Sequence, residues 1–225
     1  MSEQTNPLLQ NFDLPPFSMI KPEHVKPAIE SLIEDCKKAI EQAVNESDHT
    51  WENLILATEE SGDRLNKAWS PVSHMNSVVS SDELREAYES CLPMLSEFST
   101  WIGQHKGLYQ AYQSIADSDA FSSLTNAQKK VIDNALRDFK LSGVDLPEEK
   151  QKRYGDIQSR KSEICSNFSN NVLDATNAWQ KVVTDQNELA GLPDSAIAAA
   201  KQMAQMKELD GWLFTLDFPS YLPVM

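Results

Sequence analysis

Glycine is scarce in this sequence, with 7 residues among 225. All-β sandwiches and barrels join many short strands through glycine-rich turns, so this composition argues against them. Long apolar stretches are absent too: no run approaches the roughly 20 residues that a membrane-spanning helix needs. Residues 1–7 are polar and acidic and lack the basic and apolar parts of a secretory signal peptide. We therefore expect no membrane partner.

Cysteine is also rare, and its number is odd. Cys36, Cys91 and Cys165 are far apart and lie within apolar helical patterns. A disulfide framework in a small secreted protein uses an even number of cysteines, whereas cytosolic proteins keep their thiols reduced. The sequence therefore predicts buried, reduced thiols and a cytoplasmic protein.

Positive charge is in short supply. The chain has 20 Lys and Arg against 34 Asp and Glu, which gives a net charge of −14. A protein that binds nucleic acid needs a basic surface to displace the counterions of the phosphates. The densest basic group lies in residues 150–161, where acidic residues are interleaved with it, as is typical of a solvated helix face. We expect neither nucleic acid nor an anionic membrane as a partner.

Local motifs of the common catalytic and metal sites are missing as well. The sequence contains no H-E-x-x-H, C-x-x-C, G-x-S-x-G or G-x-x-x-x-G-K-[ST] pattern. The four histidines, His24, His49, His74 and His105, are each at least 25 residues from the next, so none forms a local zinc pair. We expect no catalytic residue and no metal ligand in these 225 residues.

Apolar residues at helical spacing are what the sequence does contain. They predict an all-α, multi-helix antiparallel assembly with an extended N-terminal arm and at most one short C-terminal strand. The arm covers residues 1–20, where Asn6-Pro7 and Pro15-Pro16 are incompatible with helix interiors. A helical domain covers residues 21–210, and residues 211–225 begin a segment that continues beyond this chain.

Six helices follow from the apolar spacing and from capping residues. They run from Pro22 to about Asn45, from the N-cap Thr50 past a kink at Pro71, from the N-cap Ser81 to Tyr112 with a bend or interruption at Pro93, from the Thr125–Gln128 capping box to Gly143, from Pro147 to Val182, and from Pro193 onward.

The C-terminal residues have a different pattern. Residues 211–216 form a short apolar run typical of a buried strand, and the apolar segment after it stops in mid-pattern. A lone strand cannot satisfy its own backbone hydrogen bonds. We therefore expect that the chain is truncated and that this strand normally packs on sequence beyond residue 225. In this chain alone it should pair with a second copy or detach.

Aromatic residues are candidates for a binding surface. Trp101, Tyr109 and Tyr112 are candidates for lining one groove, and Trp69 and Phe98 for another. An aromatic stripe on a helix is also typical of a packed core, which is the simpler interpretation.

Three asparagines in the fifth predicted helix are a second unusual feature, because asparagine is a mediocre helix former. Asn167, Asn170 and Asn171 either reach a neighbouring segment or peptide backbone, or face solvent. A solvent-exposed helix face is the simpler explanation.

Short segments along nearly the whole chain carry a resemblance to a known family. They are Asn6-Pro-Leu-Leu9, Leu14-Pro-Pro-Phe17, Pro22-Glu-His-Val25, Thr50-Trp-Glu-Asn-Leu54, Ser70-Pro-Val-Ser-His74, Glu83-Leu-Arg-Glu-Ala-Tyr-Glu89, Gly103-Gln-His105, Asn134-Ala-Leu-Arg-Asp-Phe139, Ser169-Asn-Asn-Val-Leu-Asp-Ala-Thr176, Glu188-Leu-Ala-Gly-Leu-Pro193 and Leu216-Asp-Phe-Pro-Ser-Tyr-Leu-Pro-Val-Met225. In this order they resemble the thimet oligopeptidase-like zinc metallopeptidases, in particular the bacterial oligopeptidase A group. Members of that family are much longer, so the resemblance covers about their N-terminal third.

The resemblance implies two mostly helical halves that face each other across a deep channel admitting short peptides. It also implies one zinc ion, held by an H-E-x-x-H helix and a downstream glutamate, with the glutamate of the motif as general base. Nothing in this chain matches those residues. The resemblance therefore implies no catalytic residue and no cofactor here, and a chain that is inactive alone. Its partners would be short peptides and the catalytic region of the longer protein, and its helices would form one wall of the channel.

A self-contained helical scaffold or adaptor that binds a partner helix through an exposed groove is the alternative. The reading frame after Met225 separates the two hypotheses. An H-E-x-x-H motif there would decide for the peptidase, and a stop codon would decide for the scaffold.

Overall fold

The computed structural model describes residues 6–225. The chain divides into two compact units, residues 1–163 (unit 1) and residues 164–225 (unit 2), and the division falls within one long helix. The described residues form eight α-helices and only a two-stranded sheet, which confirms the all-α class.

Unit 1 consists of helices that pack around the first of them. Its helices are α1 (Pro22–Val44), α2 (Ala57–Val78), α3 (Asp82–Gly103), α4 (Lys106–Ala116), α5 (Asn126–Leu141) and the first part of α6 (Glu148–Ala178). A π-helical segment, Trp51–Leu56, leads into α2, and a 3-10 helix, Asp119–Ser123, precedes α5. α1 packs against α2 and α3, and α4 packs against α5.

The buried face of α1 explains this arrangement. Its buried residues follow the spacing i, i+3, i+4, i+7, i+8, which places them on one side of the helix: Val25, Ala28, Ile29, Leu32, Ile33, Cys36, Ile40 and Ala43. The first six contribute to a core cluster with α2 and α3, and the last two to a second cluster with α4 and α5. Each fully buried aliphatic side chain of this kind stabilises a fold by about 1.5–3 kcal/mol.

The N-terminal arm predicted for residues 1–20 lies partly outside the described residues, which exclude residues 1–5. The remainder contains two 3-10 helices, Pro7–Leu9 and Phe17–Met19, and buries Leu8 and Ile20. Asn6 Nδ2 donates to the carbonyl oxygen of His24 at 2.7 Å, which ties this segment to the first turn of α1. The arm and the two domain boundaries at residues 21 and 211 stay predictions.

Several predicted helix starts are confirmed by their caps. Ser81 Oγ accepts a hydrogen bond from the Leu84 N–H at 3.2 Å. Thr125 and Gln128 form the predicted capping box, with Gln128 Oε1 accepting from the Thr125 N–H at 2.9 Å. Pro71 lies inside α2, as the prediction of a helix that continues past it requires.

The third predicted helix, from Ser81 to Tyr112 with a bend or interruption at Pro93, is wrong about where it breaks, because Pro93 lies inside α3. α3 ends at Gly103 and α4 begins at Lys106, with His105 between them as the N-cap of α4. His105 Nδ1 accepts a hydrogen bond from the Leu108 N–H at 2.9 Å, which satisfies one of the free N–H groups at the helix start. The apolar spacing runs on through the break, so the pattern alone does not reveal it.

Unit 2 contains the rest of α6 and the sheet. Its elements are β1 (Gln180–Val183), a 3-10 helix (Gln186–Leu189), α7 (Asp194–Met206), β2 (Trp212–Thr215), the short α8 (Phe218–Tyr221) and a 3-10 helix (Leu222–Val224). The strands are antiparallel, with Gln180 opposite Thr215 and Val183 opposite Trp212. Val183, Leu189, Ala200 and Phe214 form its small apolar core.

The strand predicted at residues 211–216 is confirmed as β2, but two related predictions are wrong. The fifth helix does not reach Val182, because α6 ends at Ala178 and β1 follows. The predicted strand also does not lack a partner within the chain, since it pairs with β1 and the sheet has two strands rather than at most one. Trp179 and Val182 fit helical spacing, and only the later pairing with β2 makes their segment extended.

The apolar side chains of α6 in unit 2 are not covered by the described part of the chain. Ile164, Phe168 and Val172 are 51, 68 and 50% exposed. Among the described residues, none of α6 is buried.

Candidate functional site

A cavity of about 390 Å³ lies within unit 1, bordered by residues of α1, α2, α3, α4 and α5. Its wall combines hydroxyl groups, two carboxylates and apolar side chains, including Thr58, Glu59, Tyr112, Asp138 and Phe139. Apolar surface predominates in this wall, and the few polar groups are placed among it, as is usual for ligand pockets.

Tyr112 is the buried titratable group of this cavity, with 6% of its surface exposed. Burial and, to a smaller extent, the negative charge of Glu59 raise the pKa of its phenol, while a hydrogen bond with the Thr58 side chain acts in the opposite direction. The phenol therefore stays protonated at neutral pH. Tyr112 is equipped to make hydrogen bonds and not to act as a base.

Of the three aromatic residues predicted to line one groove, only Tyr112 lines this cavity. Tyr109 and Tyr112 both meet Phe139 edge to face, with ring centres 5.9 and 5.6 Å apart. Trp101 lies edge to face with His105 at 4.8 Å. All three predicted residues belong to the second core cluster, so the packed-core interpretation describes them.

Trp69 and Phe98, predicted to line a second groove, each have another partner. Trp69 stacks on Tyr88 with ring centres 4.8 Å apart, and Phe98 lies parallel to Trp101 at 6.0 Å. Both residues pack in the first core cluster. The structure gives them a role in packing.

The four histidines have separate local roles. His24 and His105 accept, through Nδ1, backbone N–H groups at the starts of α1 and α4. His49 lies 3.3 Å from the last carbonyl oxygen of α1, and His74 packs against the ring of Phe17. In residues 6–225, no three His, Cys, Asp or Glu side chains are grouped so that they would hold a metal ion.

The cysteines differ in exposure. Burial raises the pKa of the Cys36 and Cys91 thiols, and Cys36 Sγ donates to the carbonyl oxygen of Ser61 at 3.2 Å. A thiol with a raised pKa is a poor nucleophile at neutral pH. The prediction of buried thiols is wrong for Cys165, which lies on α6 and is exposed.

The polar residues singled out on α6 largely face solvent. Asn167 and Asn171 are exposed, and Asn170 is half-buried. The basic residues of the 150–161 segment are all exposed: Lys150, Lys152, Arg153, Arg160 and Lys161. Arg160 pairs with Glu163 at 2.7 Å, three residues further along the exposed helix face.

A second cavity, of about 160 Å³, lies in unit 2 and is mainly apolar. Trp179, Val183 and Phe214 contribute to its wall from the two strands and the residue before them. The sequence does not predict this cavity. Its wall includes residues of β1, and the spacing of their apolar side chains fits a helix instead.

None of the described helices combines the length and the hydropathy that are needed to cross a bilayer.

A comparison with known protein families distinguishes the two hypotheses, a region of an oligopeptidase and a self-contained scaffold. The sequence profile described as "Neurolysin/Thimet oligopeptidase, N-terminal domain" matches residues 29–151, more than half of the chain. The chain belongs to this family. The matched stretch runs from within α1 to the beginning of α6, so it contains the lining residues of the unit 1 cavity named above.

Curated relatives in this family extend the match to nearly the whole chain. Oligopeptidase A of Haemophilus influenzae is 61% identical over 221 residues, and that of Escherichia coli is 59% identical over 222 residues. These alignments cover 98% of this chain but 32 and 33% of the relatives. A probable cytosolic oligopeptidase A of Arabidopsis thaliana is 36% identical over 228 residues, which cover 98% of this chain and 32% of that protein. The resemblance to the oligopeptidase A group is thus confirmed, and the chain spans about a third of the length of these relatives.

Proposed function

We propose that this chain is the N-terminal helical domain of a cytoplasmic zinc metallo-oligopeptidase that hydrolyses short peptides. The 61% identity to a protein named oligopeptidase A carries the proposal, because it extends over 98% of the chain. The reduced thiols and acidic composition expected from the sequence are in keeping with a cytoplasmic enzyme.

The zinc ion of such an enzyme would be bound in the part of the relatives' length that this chain does not span. There it would polarise the scissile carbonyl group and activate a water molecule. The residues present here do not fit that ion, since His24 and His105 use Nδ1 to accept backbone hydrogen bonds and the described residues contain no group of three ligands. We therefore assign no step of the hydrolysis to this chain.

The role that we assign to unit 1 is one wall of a channel that admits short peptides. A wall that limits substrate size must keep its shape, and close packing makes a protein interior resist deformation. The two apolar clusters joined through α1 provide such packing. The partners of the chain are then short peptides and the catalytic region of the longer protein.

The scaffold or adaptor hypothesis is not favoured, because the relatives named above are oligopeptidases. An exposed groove between Trp69 and Phe98, which would have supported it, is replaced by two stacked pairs.

Hydrolysis of an internally quenched oligopeptide tests the proposal. The 225-residue chain alone should show no hydrolysis that a chelator abolishes. The joined protein, in which this chain replaces the aligned N-terminal third of Haemophilus influenzae oligopeptidase A, should hydrolyse the peptide, and a chelator should stop it.

Two results would contradict the proposal. One is chelator-sensitive hydrolysis by the 225-residue chain, and the other is a folded joined protein that binds zinc but does not hydrolyse the peptide. The joined protein with the histidines of its H-E-x-x-H motif replaced by alanine is the matched control for contaminating peptidases.

A further inference from the structure

Of the two edges of the sheet in unit 2, the edge of β1 is the more open among the described residues. β2 packs against α7 and α8 as well as β1, whereas the main contact of β1 among the described elements is with β2. Gln180, Lys181 and Val182 are exposed, and Val182 exposes 40% of its surface. Unpaired N–H and C=O groups at such an edge are a template for a further strand.

Hydrogen bonds determine which backbone groups of β1 point outward. In an antiparallel pair, opposite residues alternate between those that exchange two hydrogen bonds and those whose N–H and C=O groups point away from the partner. The Thr215 N–H donates to Ser220 Oγ at 2.9 Å, so Thr215 and its opposite residue Gln180 are of the outward kind. Because the two kinds of pair alternate along the strands, the N–H and C=O groups of the next pair but one, Val182 and Leu213, also point away from the partner strand. The N–H and C=O groups of Val182 therefore face the open edge.

Two further observations agree with this assignment. The carbonyl oxygen of Val183 lies so close to Gly211 that a Cβ there would collide with it, so this carbonyl faces β2. On β2, Leu213 and Phe214 point to opposite faces of the sheet but are only 1 and 8% exposed. Both faces of β2 are thus covered, and at its outer edge the Thr215 N–H is already bonded to Ser220 Oγ, so β1 offers the more open of the two edges.

An apolar cavity lies beside the same edge. Trp179 and Val183, which alternate onto one face, line the 160 Å³ cavity of unit 2 together with Leu216 and Tyr221. Trp179, Leu216 and Tyr221 expose 45, 39 and 42% of their surfaces. A strand added at this edge would direct every second side chain to this face, so an apolar side chain of that strand would fill the cavity.

We propose that β1 pairs with a third strand contributed by the two thirds of the relatives' length that this chain does not span. This inference rests on the proposed function. The third strand exchanges backbone hydrogen bonds with Val182 and places one apolar side chain in the cavity beside Trp179.

A strand of the same polypeptide suits this edge better than a second copy of the chain. The relatives have about twice as much sequence again beyond the aligned part, and an isolated two-stranded sheet is marginally stable in water. A second copy carries the same charge of −14, so self-association would have to overcome mutual repulsion.

Hydrogen exchange followed by mass spectrometry on the segment that contains Gln180–Val183 tests the inference. In the 225-residue chain, the Lys181 and Val183 amides should be protected by β2 and the Val182 amide should exchange as an exposed group. In the joined protein, the Val182 amide should exchange at least about a hundredfold more slowly.

Peptide hydrolysis tests the proposed function and hydrogen exchange tests the third strand. Both are measured on the same joined protein, so one proposal can fail without the other. Hydrolysis with a rapidly exchanging Val182 amide would overturn the third strand and leave the proposed function in place. A protected Val182 amide without hydrolysis would support the strand and overturn the function, and the loss of both would overturn both. Protection in the 225-residue chain that rises with protein concentration would assign the edge to a second copy and overturn the proposal.

Two substitutions of Val182 provide the matched comparison. Val182→Pro removes only the outward N–H and is tolerated at a strand edge that faces solvent, so the melting temperature of the 225-residue chain should stay within about 2 °C. In the joined protein the third strand should also protect the amide of Gln180, the other outward residue of β1. Val182→Pro should abolish this protection of the Gln180 amide, while Val182→Thr, which keeps the N–H and a branched side chain, should retain it. Equal protection in both variants would overturn the proposal.

Discussion

His105 Nε2 lies 3.1 Å from Glu41 Oε1, while His105 Nδ1 accepts the N–H of Leu108 at 2.9 Å. A ring nitrogen that accepts a hydrogen bond carries no proton, so the proton is on Nε2, which donates to the carboxylate. One imidazole thus joins α1 to the start of α4, at the break between α3 and α4.

Replacement of His105 should destabilise this junction. His105→Ala removes the N-cap and the edge-to-face contact with Trp101, and we expect the free energy of unfolding in urea to fall by about 1–3 kcal/mol. His105→Asn, which retains a capping side chain, should recover about half of that loss. Equal losses in the two variants would show that the cap contributes nothing.

A second prediction concerns Gly211, which has φ +99° and lies against the Val183 carbonyl. Gly191 has a similar φ of +95° but has open space around its Cα, so it is a matched control. Gly191→Ala should cost about 1 kcal/mol from backbone strain alone. Gly211→Ala should lower the free energy of unfolding by more than this and separate β1 from β2. The Lys181 and Val183 amides would then lose their protection from hydrogen exchange. Similar exchange in both variants would contradict the close approach.

The raised pKa of the Tyr112 phenol should be visible in the pH dependence of the free energy of unfolding. Because burial raises its pKa above the ordinary value of 10.0, the unfolded chain loses the phenol proton at lower pH than the folded chain does. Above pH 10 the folded state binds more protons, so the free energy of unfolding falls as pH rises through the folded pKa. Urea unfolding of Tyr112→Phe between pH 9 and 11 should show a shallower fall. The buried thiols contribute equally to both proteins and cancel in the comparison.

Thiol reactivity should separate the cysteines. At pH 8 Cys165 should react rapidly with a disulfide reagent, whereas Cys36 and Cys91 should react only after unfolding, because they are buried and their pKa values are raised. Cys165→Ser should remove the rapid phase and leave the total after denaturation one thiol lower. A second rapid thiol in the folded protein would contradict the burial.

Truncation of apolar side chains should have opposite consequences in α1 and α6. Ile29 is fully buried, and Ile29→Ala should lower the free energy of unfolding by about 2–5 kcal/mol. Phe168 is larger but 68% exposed, and Phe168→Ala should change it by at most about 0.5 kcal/mol in the 225-residue chain. A large loss for Phe168→Ala would indicate an apolar contact on α6.

Local chemistry was the predictable part of the fold. The caps at Ser81 and Thr125 use side chains that bond to backbone groups three residues away, so the sequence window contains both partners. The His105 cap is just as local, but histidine is not among the favoured capping residues, and the apolar spacing continued through it. β1 was missed because its partner, β2, is distant in the sequence.

The candidate site was predictable only in part for the same reason. Tyr112 was recognised as a candidate from its own helix. Glu59 and Asp138, which border the cavity beside it, come from α2 and α5, and nothing in their local sequence indicates that they meet. The sequence pairs Trp69 with Phe98, but Trp69 stacks on Tyr88, because the partner depends on how α2 packs against α3.

The absence of buried residues in α6 has a consequence for the order of folding during synthesis. Among the described residues of unit 1, every buried apolar side chain lies between Pro7 and Val144. Ribosomes add about 5–20 residues per second and domains fold as units, N-terminal parts first. The residues that form the interior of unit 1 are therefore synthesised before α6. We expect unit 1 to begin folding before the open edge of β1 leaves the ribosome.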